Sequence, residues 1–416
     1  MNYKKQALYN TIGNLVYMMC LWLLSVVTVR ICGFEEGGVF TIAMSVGNIF
    51  YFIAMYGMRS FQASDTAHQY SGRTYIRTRA VTVAASVFLC LGYLVLVRYD
   101  RHTSLAILLY VVYRGLEAGS DVFFGELQKQ GHLEVCGISM SLKGVLGVAA
   151  FSLLLMKARN LNAALAGLIV IAVLFGVYDV RSYLRYKDVN EPISSGTVWA
   201  LLKDGFMMLL TTVFPIIVTA IPRLALEESC GKEILGIYSS ISTPTVLLTT
   251  IIPNMLCPFM TYYGKCYQNG QNRKLLKMMW ISIFCTAALG CAACVLAYFL
   301  GDFVLGLVFG ADVLPYMYIF IPLIIATTVY AFSMCGNSVL ITIRYPIWLT
   351  SFAFSALAVS LIITRPLVSR WGMMGTVWAF ACPFAVQLIC QIVFLTVKLR
   401  KDRVGEPEEQ IHNTLA

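Results

Sequence analysis

Charged residues punctuate this chain at long intervals, and the stretches between them are apolar. Twenty-four uncharged residues separate Lys5 from Arg30, 22 separate Glu36 from Arg59, and 18 separate Arg79 from Arg98. Further runs lie between Arg159 and Asp179 (19), Asp204 and Arg223 (18), Glu233 and Lys265 (31), and Lys277 and Asp302 (24). The last three are Asp312 to Arg344 (31), Arg344 to Arg365 (20) and Arg370 to Lys398 (27). A helix needs about 20 apolar residues to cross a bilayer, so each of these ten runs predicts a span. Two more apolar segments, 103–126 and 134–157, carry charges inside them, which brings the expectation to about twelve. The spans must be α-helical, because lipid cannot satisfy an open sheet edge or irregular backbone. Loops are short. The longest connection, 184–204, contains Pro192 and the turn cluster Ser194-Ser195-Gly196. It divides the chain into an N-terminal six-helix lobe (1–190) and a C-terminal one (191–398), followed by a cytoplasmic tail (399–416). No stretch is large enough for a soluble catalytic domain, and the chain is not expected to be an enzyme.

Composition agrees with this picture. The chain of 416 residues is 59% hydrophobic and 12% charged, against about 25% charged in an ordinary globular chain. With both termini inside, 20 of the 31 Lys and Arg residues fall on cytoplasmic segments, Arg79 among them, and 9 on the other side. That bias accounts for the net charge of +10 without a nucleic-acid partner, and no basic stripe interleaved with aromatics is present. The first apolar run is longer than the core of a signal peptide and lacks a cleavage pattern, so it reads as an uncleaved first span. The 13 cysteines fall mostly inside spans and read as small buried apolar residues; Cys291 and Cys294 have no histidine or second pair nearby to make a metal site.

The two halves look like copies. The first span ends in Val27-Thr28-Val29-Arg30 and the second opens with Gly38-Val39-Phe40-Thr41. The seventh ends in Val218-Thr219 and Arg223, and the eighth opens with Gly236-Ile237-Tyr238-Ser239. Both second members close with Tyr-Gly and a basic residue, Tyr56-Gly57-Met58-Arg59 and Tyr263-Gly264-Lys265. The expected architecture is two pseudo-symmetric lobes around a central cavity, as in transporters built from parallel repeats.

The interrupted spans carry the candidate chemistry. Arg114, Glu117 and Asp121 in the fourth span share one helix face, continued by Tyr110, Gly125 and Gln128. Charges at membrane depth must face a cavity or a partner. Two readings stand side by side: a self-neutralising network, with Lys143 of the fifth span joining it, or one wall of a polar transport cavity. Arg30 and Arg223 end corresponding spans, either snorkelling to the interface or edging the cleft. If they face the cleft with Lys143, they favour an anionic head group, since Arg donates two parallel hydrogen bonds to phosphate. The segment Arg59-Ser60-Phe61-Gln62-Ala63-Ser64-Asp65 is a charge-balanced loop, either a solvated turn or a gate. No Gly-rich phosphate loop is present, and the four histidines have no ligand spacing, so neither ATP nor a metal is expected.

Taken together, these features resemble bacterial Wzx-type polysaccharide flippases, members of the multidrug/oligosaccharidyl-lipid/polysaccharide exporter superfamily. The resemblance rests on twelve spans, the Gly38-Val39-Phe40 start, residues 56–65, Glu117-x-x-x-Asp121 leading into Gly125-Glu126-Leu127-Gln128, and Ile221-Pro222-Arg223. An aromatic often follows that last motif; here it is Leu224. The resemblance implies a flippase that moves undecaprenyl-pyrophosphate-linked oligosaccharide from the inner to the outer leaflet of a bacterial cytoplasmic membrane by alternating access. It implies Arg30, Arg114, Lys143 and Arg223 as head-group contacts. Glu117 and Asp121 become groups coupling to H+ or Na+, or ion-pair partners, and Arg59, Gln62 and Asp65 a gate loop. The partners implied are the lipid-linked substrate, the bilayer, and the polymerase and export machinery. The alternatives are a cation-coupled multidrug extruder of the same superfamily and a membrane enzyme of polysaccharide assembly, a polymerase or acyltransferase.

Overall fold

The computed structural model describes residues 3–59, 62, 70–186, 197–343 and 345–401. The lobe boundary at 190/191, Asp65 of the gate loop and most of the tail lie outside the described residues. Helices follow one another throughout: α1 (Tyr3–Met55), α2 (Gly72–Val97), α3 (Arg101–Lys129), α4 (Leu133–Ala158), α5 (Leu161–Tyr186) and α6 (Val198–Cys230). Then come α7 (Lys232–Ser242), α8 (Thr245–Gln268), α9 (Asn272–Phe309), a 3-10 stretch (Ala311–Ile319), α10 (Phe320–Thr342) and α11 (Pro346–Lys401). Eight described segments are long and apolar enough to cross a membrane. Two of them, Leu8–Met55 and Pro346–Leu399, are long enough to cross twice. Each breaks at a glycine that leaves helical geometry, Gly33 (φ 88°, ψ 179°) and Gly372 (φ 51°, ψ −125°). With those breaks, with α3 counted as a span, and with α7 and α8 together filling the predicted run 234–264, the twelve expected crossings are present. The chain is a multi-pass membrane protein. Large apolar side chains such as Phe88, Phe284 and Phe299 are about three-quarters exposed, as a lipid-facing surface requires.

The first connection differs from the expectation. The chain stays helical through Arg30 to Cys32 and again from Phe34, so the first and second spans join at Gly33 without a loop. Only glycine takes that φ at no steric cost.

The residues cluster into two compact units. One comprises 1–241 with 305–314, the other 242–304 with 315–416. In the second unit α8, α9, α10 and α11 pack around Tyr263, Leu275, Met279, Val339, Leu340, Leu395 and Leu399. Among the described residues its polar interior is uncharged: the Gln387 and Gln391 amides both donate to Asn337 Oδ1, at 3.3 and 2.7 Å. The seven buried charged side chains among the described residues, Arg79, Arg114, Glu117, Asp121, Glu126, Lys143 and Asp179, all belong to the first unit.

The duplication has a structural counterpart inside that first unit. Gly33 and Gly231 adopt the same extended positive-φ conformation, 88°/179° and 87°/171°. Five residues beyond each kink, Gly38 and Gly236 bring α1 and α7 together. A Cβ on Gly236 would overlap the Phe34 carbonyl, and a Cβ on Gly38 would overlap the Lys232 carbonyl. The relation is reciprocal, as across a two-fold axis, and every matched pair is 198 positions apart. The same offset corrects two sequence expectations. It carries Arg223 onto Ser25 and Arg30 onto Glu228, so the two arginines do not end equivalent helices at equivalent heights. Nor do the Tyr-Gly-basic segments correspond: Tyr56 (φ 52°) and Gly57 (φ 62°) turn the chain out of α1, whereas Tyr263-Gly264 stays inside α8.

Candidate functional site

Small residues bring the charged helices together. Gly13 of α1 lies against the backbone of Gly137 in α4, and Gly144 lies 3.2 to 3.3 Å, measured from a built Cβ, from Cys20 and Tyr17. Small side chains at this spacing let membrane helices approach backbone to backbone. The approach sets Tyr17 of α1 and Lys143 of α4 beside the charged face of α3.

Glu117 is the centre of the deeper tier. Its carboxylate accepts from Arg114 Nη1, pairs with Lys143 Nζ at 3.6 Å, and accepts from the hydroxyls of Tyr17 and of Tyr113, the latter at 3.0 Å. The Arg114 guanidinium also lies over the Tyr51 ring, 3.7 Å from its centroid. Arg114, Glu117 and Lys143 are all less than a tenth exposed. At 1.5 Å per residue, Glu117 and Lys143 lie about 18 and 15 Å from the nearer ends of their helices, close to the midplane of a core about 30 Å thick. Two cations therefore share one carboxylate at mid-depth.

A second tier lies one turn nearer the helix ends. Asp121 binds Arg59 Nη1 at 2.5 Å and Arg79 Nη2 at 3.3 Å. Arg59 also donates to Gln128 Oε1 at 3.3 Å. Arg79, 1% exposed, donates to the Ala54 carbonyl at 2.8 Å, anchoring the end of α1 to α2. Beside this tier, the Gln62 amide donates to the Val122 carbonyl at 3.2 Å and to Glu126, which is 3.8 Å from Lys129. Gly125 is the notch for Gln62, since a Cβ there would overlap its amide.

The structure thus brings Arg114, Glu117, Lys143, Asp121 and Arg59 together with Gln62 close by: the two carboxylates are paired, and each is shared by two cations. Counted with Lys129, five cations stand against four carboxylates, Glu117, Asp121, Glu126 and Asp179, so the described cluster is close to balanced. Arg30 and Arg223 stand apart. The exposed Arg30 donates from Nε to the Val308 carbonyl at 2.5 Å and from Nη2 to the Leu307 carbonyl, capping the C-terminus of α9. Arg223 is half-buried near Tyr238 and has no ion pair or hydrogen-bond partner among the described residues.

The sequence pattern does not single out Arg79, Asp179 or the tyrosines Tyr17, Tyr51 and Tyr113, and it carries Glu126 and Tyr110 only as neighbours of the charged face, not as site residues. Arg79 was counted as a loop cation because it opens an uncharged run. The missed signal is Ser71, whose side chain accepts from Thr74 N and starts α2 at Gly72, two turns before Arg79. Asp179 was read as the end of a run, although the helix continues to Tyr186. The tyrosines carry no charge and left no trace in a charge-based pattern.

A family described as "Polysaccharide biosynthesis protein" matches residues 3–262. A capsular polysaccharide biosynthesis protein, CapF, of Staphylococcus aureus is 27% identical over 311 residues, covering 73% of this chain and 76% of the relative. Among solved structures, an inward-facing multidrug resistance MATE family transporter of the MOP superfamily aligns with a TM-score of 0.70 at 13% identity, over 95% of this chain and 96% of that one. An outward-facing conformation aligns at 0.63 and 12% identity, over 97% and 96%. The fold is that of this transporter superfamily.

Proposed function

The chain belongs to the polysaccharide biosynthesis protein family, and from that premise we propose that it is a flippase for an undecaprenyl-pyrophosphate-linked oligosaccharide. It carries the repeat unit from the inner to the outer leaflet of a bacterial cytoplasmic membrane, with both termini on the cytoplasmic side. One observation carries the substrate class: at mid-membrane depth Arg114 and Lys143 share the single carboxylate of Glu117. A diphosphate entering there exchanges for Glu117 as the counter-ion of either cation, so neither needs to be stripped of a partner before the head group arrives. The half-buried Arg223 has no carboxylate to displace among the described residues and is the second head-group contact. Arg30 already gives its guanidinium to two main-chain carbonyls and serves α9. Arg59 and Gln62 latch the segment after α1 onto α3, the role expected of a gate. An organic cation would meet Arg114 and Lys143 at mid-depth with the one carboxylate of Glu117 between them, which disfavours the drug-extruder reading.

The test is genetic and chemical. In the native host, deletion of the gene should leave lipid-linked repeat units accumulating in the inner leaflet and abolish surface polysaccharide. The wild-type chain should restore both, and Arg223→Gln should not, at equal protein level. Sensitivity to cationic dyes without lipid accumulation would replace this reading with that of an extruder.

A further inference from the structure

Every carboxylate so far described is held by cations or amides. Glu117 has Arg114, Lys143 and two tyrosine hydroxyls, Asp121 has two arginines, and Glu126 has Lys129 and Gln62. Asp179 of α5 differs. It is 0% exposed, its Oδ1 accepts from Ser139 Oγ at 2.5 Å, and its Oδ2 has no partner within hydrogen-bond distance among the described residues. No Lys, Arg or His lies within ion-pair distance of it among the described residues. It sits about 10 Å inside the end of α5, at the depth of Asp121 and Arg79 in their own helices. α4 presents Ser139, Cys136 and Lys143 to it, and α3 presents Ser120. Asp121, next to Ser120 in the chain, is committed to Arg59 and Arg79.

We propose that Asp179, and neither Glu117 nor Asp121, is the carboxylate that takes up and releases a proton as this protein works. Its part in a working cycle rests on the transporter reading; the protonation itself does not. A carboxylate gripped by two cations cannot accept a proton without orphaning both charges in hydrocarbon. Asp179 has no such cost, because its hydrogen-bonding neighbours are hydroxyls, and a hydroxyl donates or accepts by rotating. Protonation forms an O–H bond at Oδ2 while an O–H bond of hydronium breaks and leaves water. The new O–H can donate to Ser120, and Ser139 continues to donate to Oδ1. Deprotonation reverses each step, and no electrons change hands.

The consequence reaches the substrate site through Lys143, the cation whose charge acts on Asp179 and whose ammonium lies 3.6 Å from Glu117 Oε1. When Asp179 is ionised, its charge acts on Lys143 from beyond ion-pair distance, in competition with Glu117. When Asp179 is protonated, the ammonium belongs to Glu117 and to whatever anion competes with Glu117. A proton on Asp179 therefore strengthens the positive field felt by a head group.

Infrared difference spectroscopy on the purified full-length protein, stepped between acid and alkaline buffer, reads this without any substrate. The expected result is a protonated-carboxyl C=O band that is lost in Asp179→Asn and kept in Asp121→Asn. A band unchanged in Asp179→Asn, or no such band in the wild-type protein, overturns the proposal. If Asp179→Asn does not fold, Ser139→Ala removes the sole donor at Oδ1, and the band must then shift; an unshifted band overturns the proposal equally. In proteoliposomes with lipid-linked oligosaccharide, flipping by the wild-type protein should depend on pH and that by Asp179→Asn should not. PH-independent flipping by the wild-type protein overturns the coupling role, whereas absence of flipping with the infrared band intact counts against the flippase reading alone.

Discussion

Replacing Glu117 by Gln removes one charge, changes almost no volume, and leaves Arg114 and Lys143 buried without their carboxylate. Arg114 keeps its stacking on Tyr51, worth about 0.5–2 kcal/mol. Lys143 keeps the rings of Tyr17 and Phe124, whose centroids are 5.6 and 5.8 Å away, and the more distant carboxyl of Asp179. Breaking a buried pair by deleting one partner costs about 3–5 kcal/mol, because the remaining charge is uncompensated. At about 2–4 °C per kcal/mol for a unit of this size, the unfolding midpoint should fall by about 10 °C. Removing the orphaned ammonium as well should return part of the loss, so Glu117→Gln with Lys143→Met should be more stable than the sum of the single changes. Lys143→Met alone should cost less than Glu117→Gln, since Arg114 still neutralises the carboxylate. Thermal unfolding of the purified variants in one detergent decides this. A Glu117→Gln midpoint within about 2 °C of wild type, or strict additivity in the double variant, would refute the claim that one carboxylate neutralises two buried cations.

Two further outcomes follow from the first unit. Gly236→Leu should disrupt the α1–α7 crossing, because even a Cβ there overlaps the Phe34 carbonyl; Gly119→Leu, with nothing within 4 Å of its Cβ, is the matched control. The check is the yield of monodisperse protein, which should fall for the first and not for the second. Burial opposes ionisation of Asp100, in the α2–α3 turn, but the Lys232 ammonium at 2.5 Å and the N–H and hydroxyl of Thr103 hold its carboxyl well below the usual carboxylate range. Its folded value is depressed, so its contribution is complete above about pH 4 and is lost as pH falls further. Midpoints measured from pH 6 downward should therefore converge for wild type and Asp100→Asn in acid; a constant gap would show that the carboxylate charge is not what the contact uses.

Spans were legible in the sequence because hydrocarbon imposes length and apolarity on each of them, and the charges of α3 stood out against that background. Connections were less legible. Gly33 and Gly231 were invisible as kinks because a charge between two apolar runs reads as a loop, while a glycine reads as one apolar residue among many. Arg30 and Arg223 were paired on the strength of a shared neighbouring motif. The structure keeps the Gly38/Gly236 part of that motif and separates the arginines by about 8 Å of helix rise. In the site, Arg114, Glu117, Asp121 and Lys143 could be named because they violate the apolar pattern. Arg79 and Asp179 could not, because each sits where an uncharged run begins or ends. Hydropathy cannot tell the last charge outside a span from the first charge within it; a helix cap or a continuing stripe can.

What is duplicated and what is not follows a physical rule. A helix crossing with two-fold character uses each contact twice, so losing one glycine spoils half of the crossing, and both Gly38 and Gly236 are needed for either to be useful. The kinks that aim the helices into the crossing, Gly33 and Gly231, share that constraint and share their dihedral angles. The substrate proposed above, with a single diphosphate and no two-fold axis, places no such requirement on a binding site. A second set of buried charges would cost desolvation with nothing to bind. Among the described residues the buried charges all lie between Arg79 and Asp179, in the unit that also holds both members of each paired backbone device, which is the arrangement expected if the binding proposed above falls to one sequence copy while both copies build the crossing.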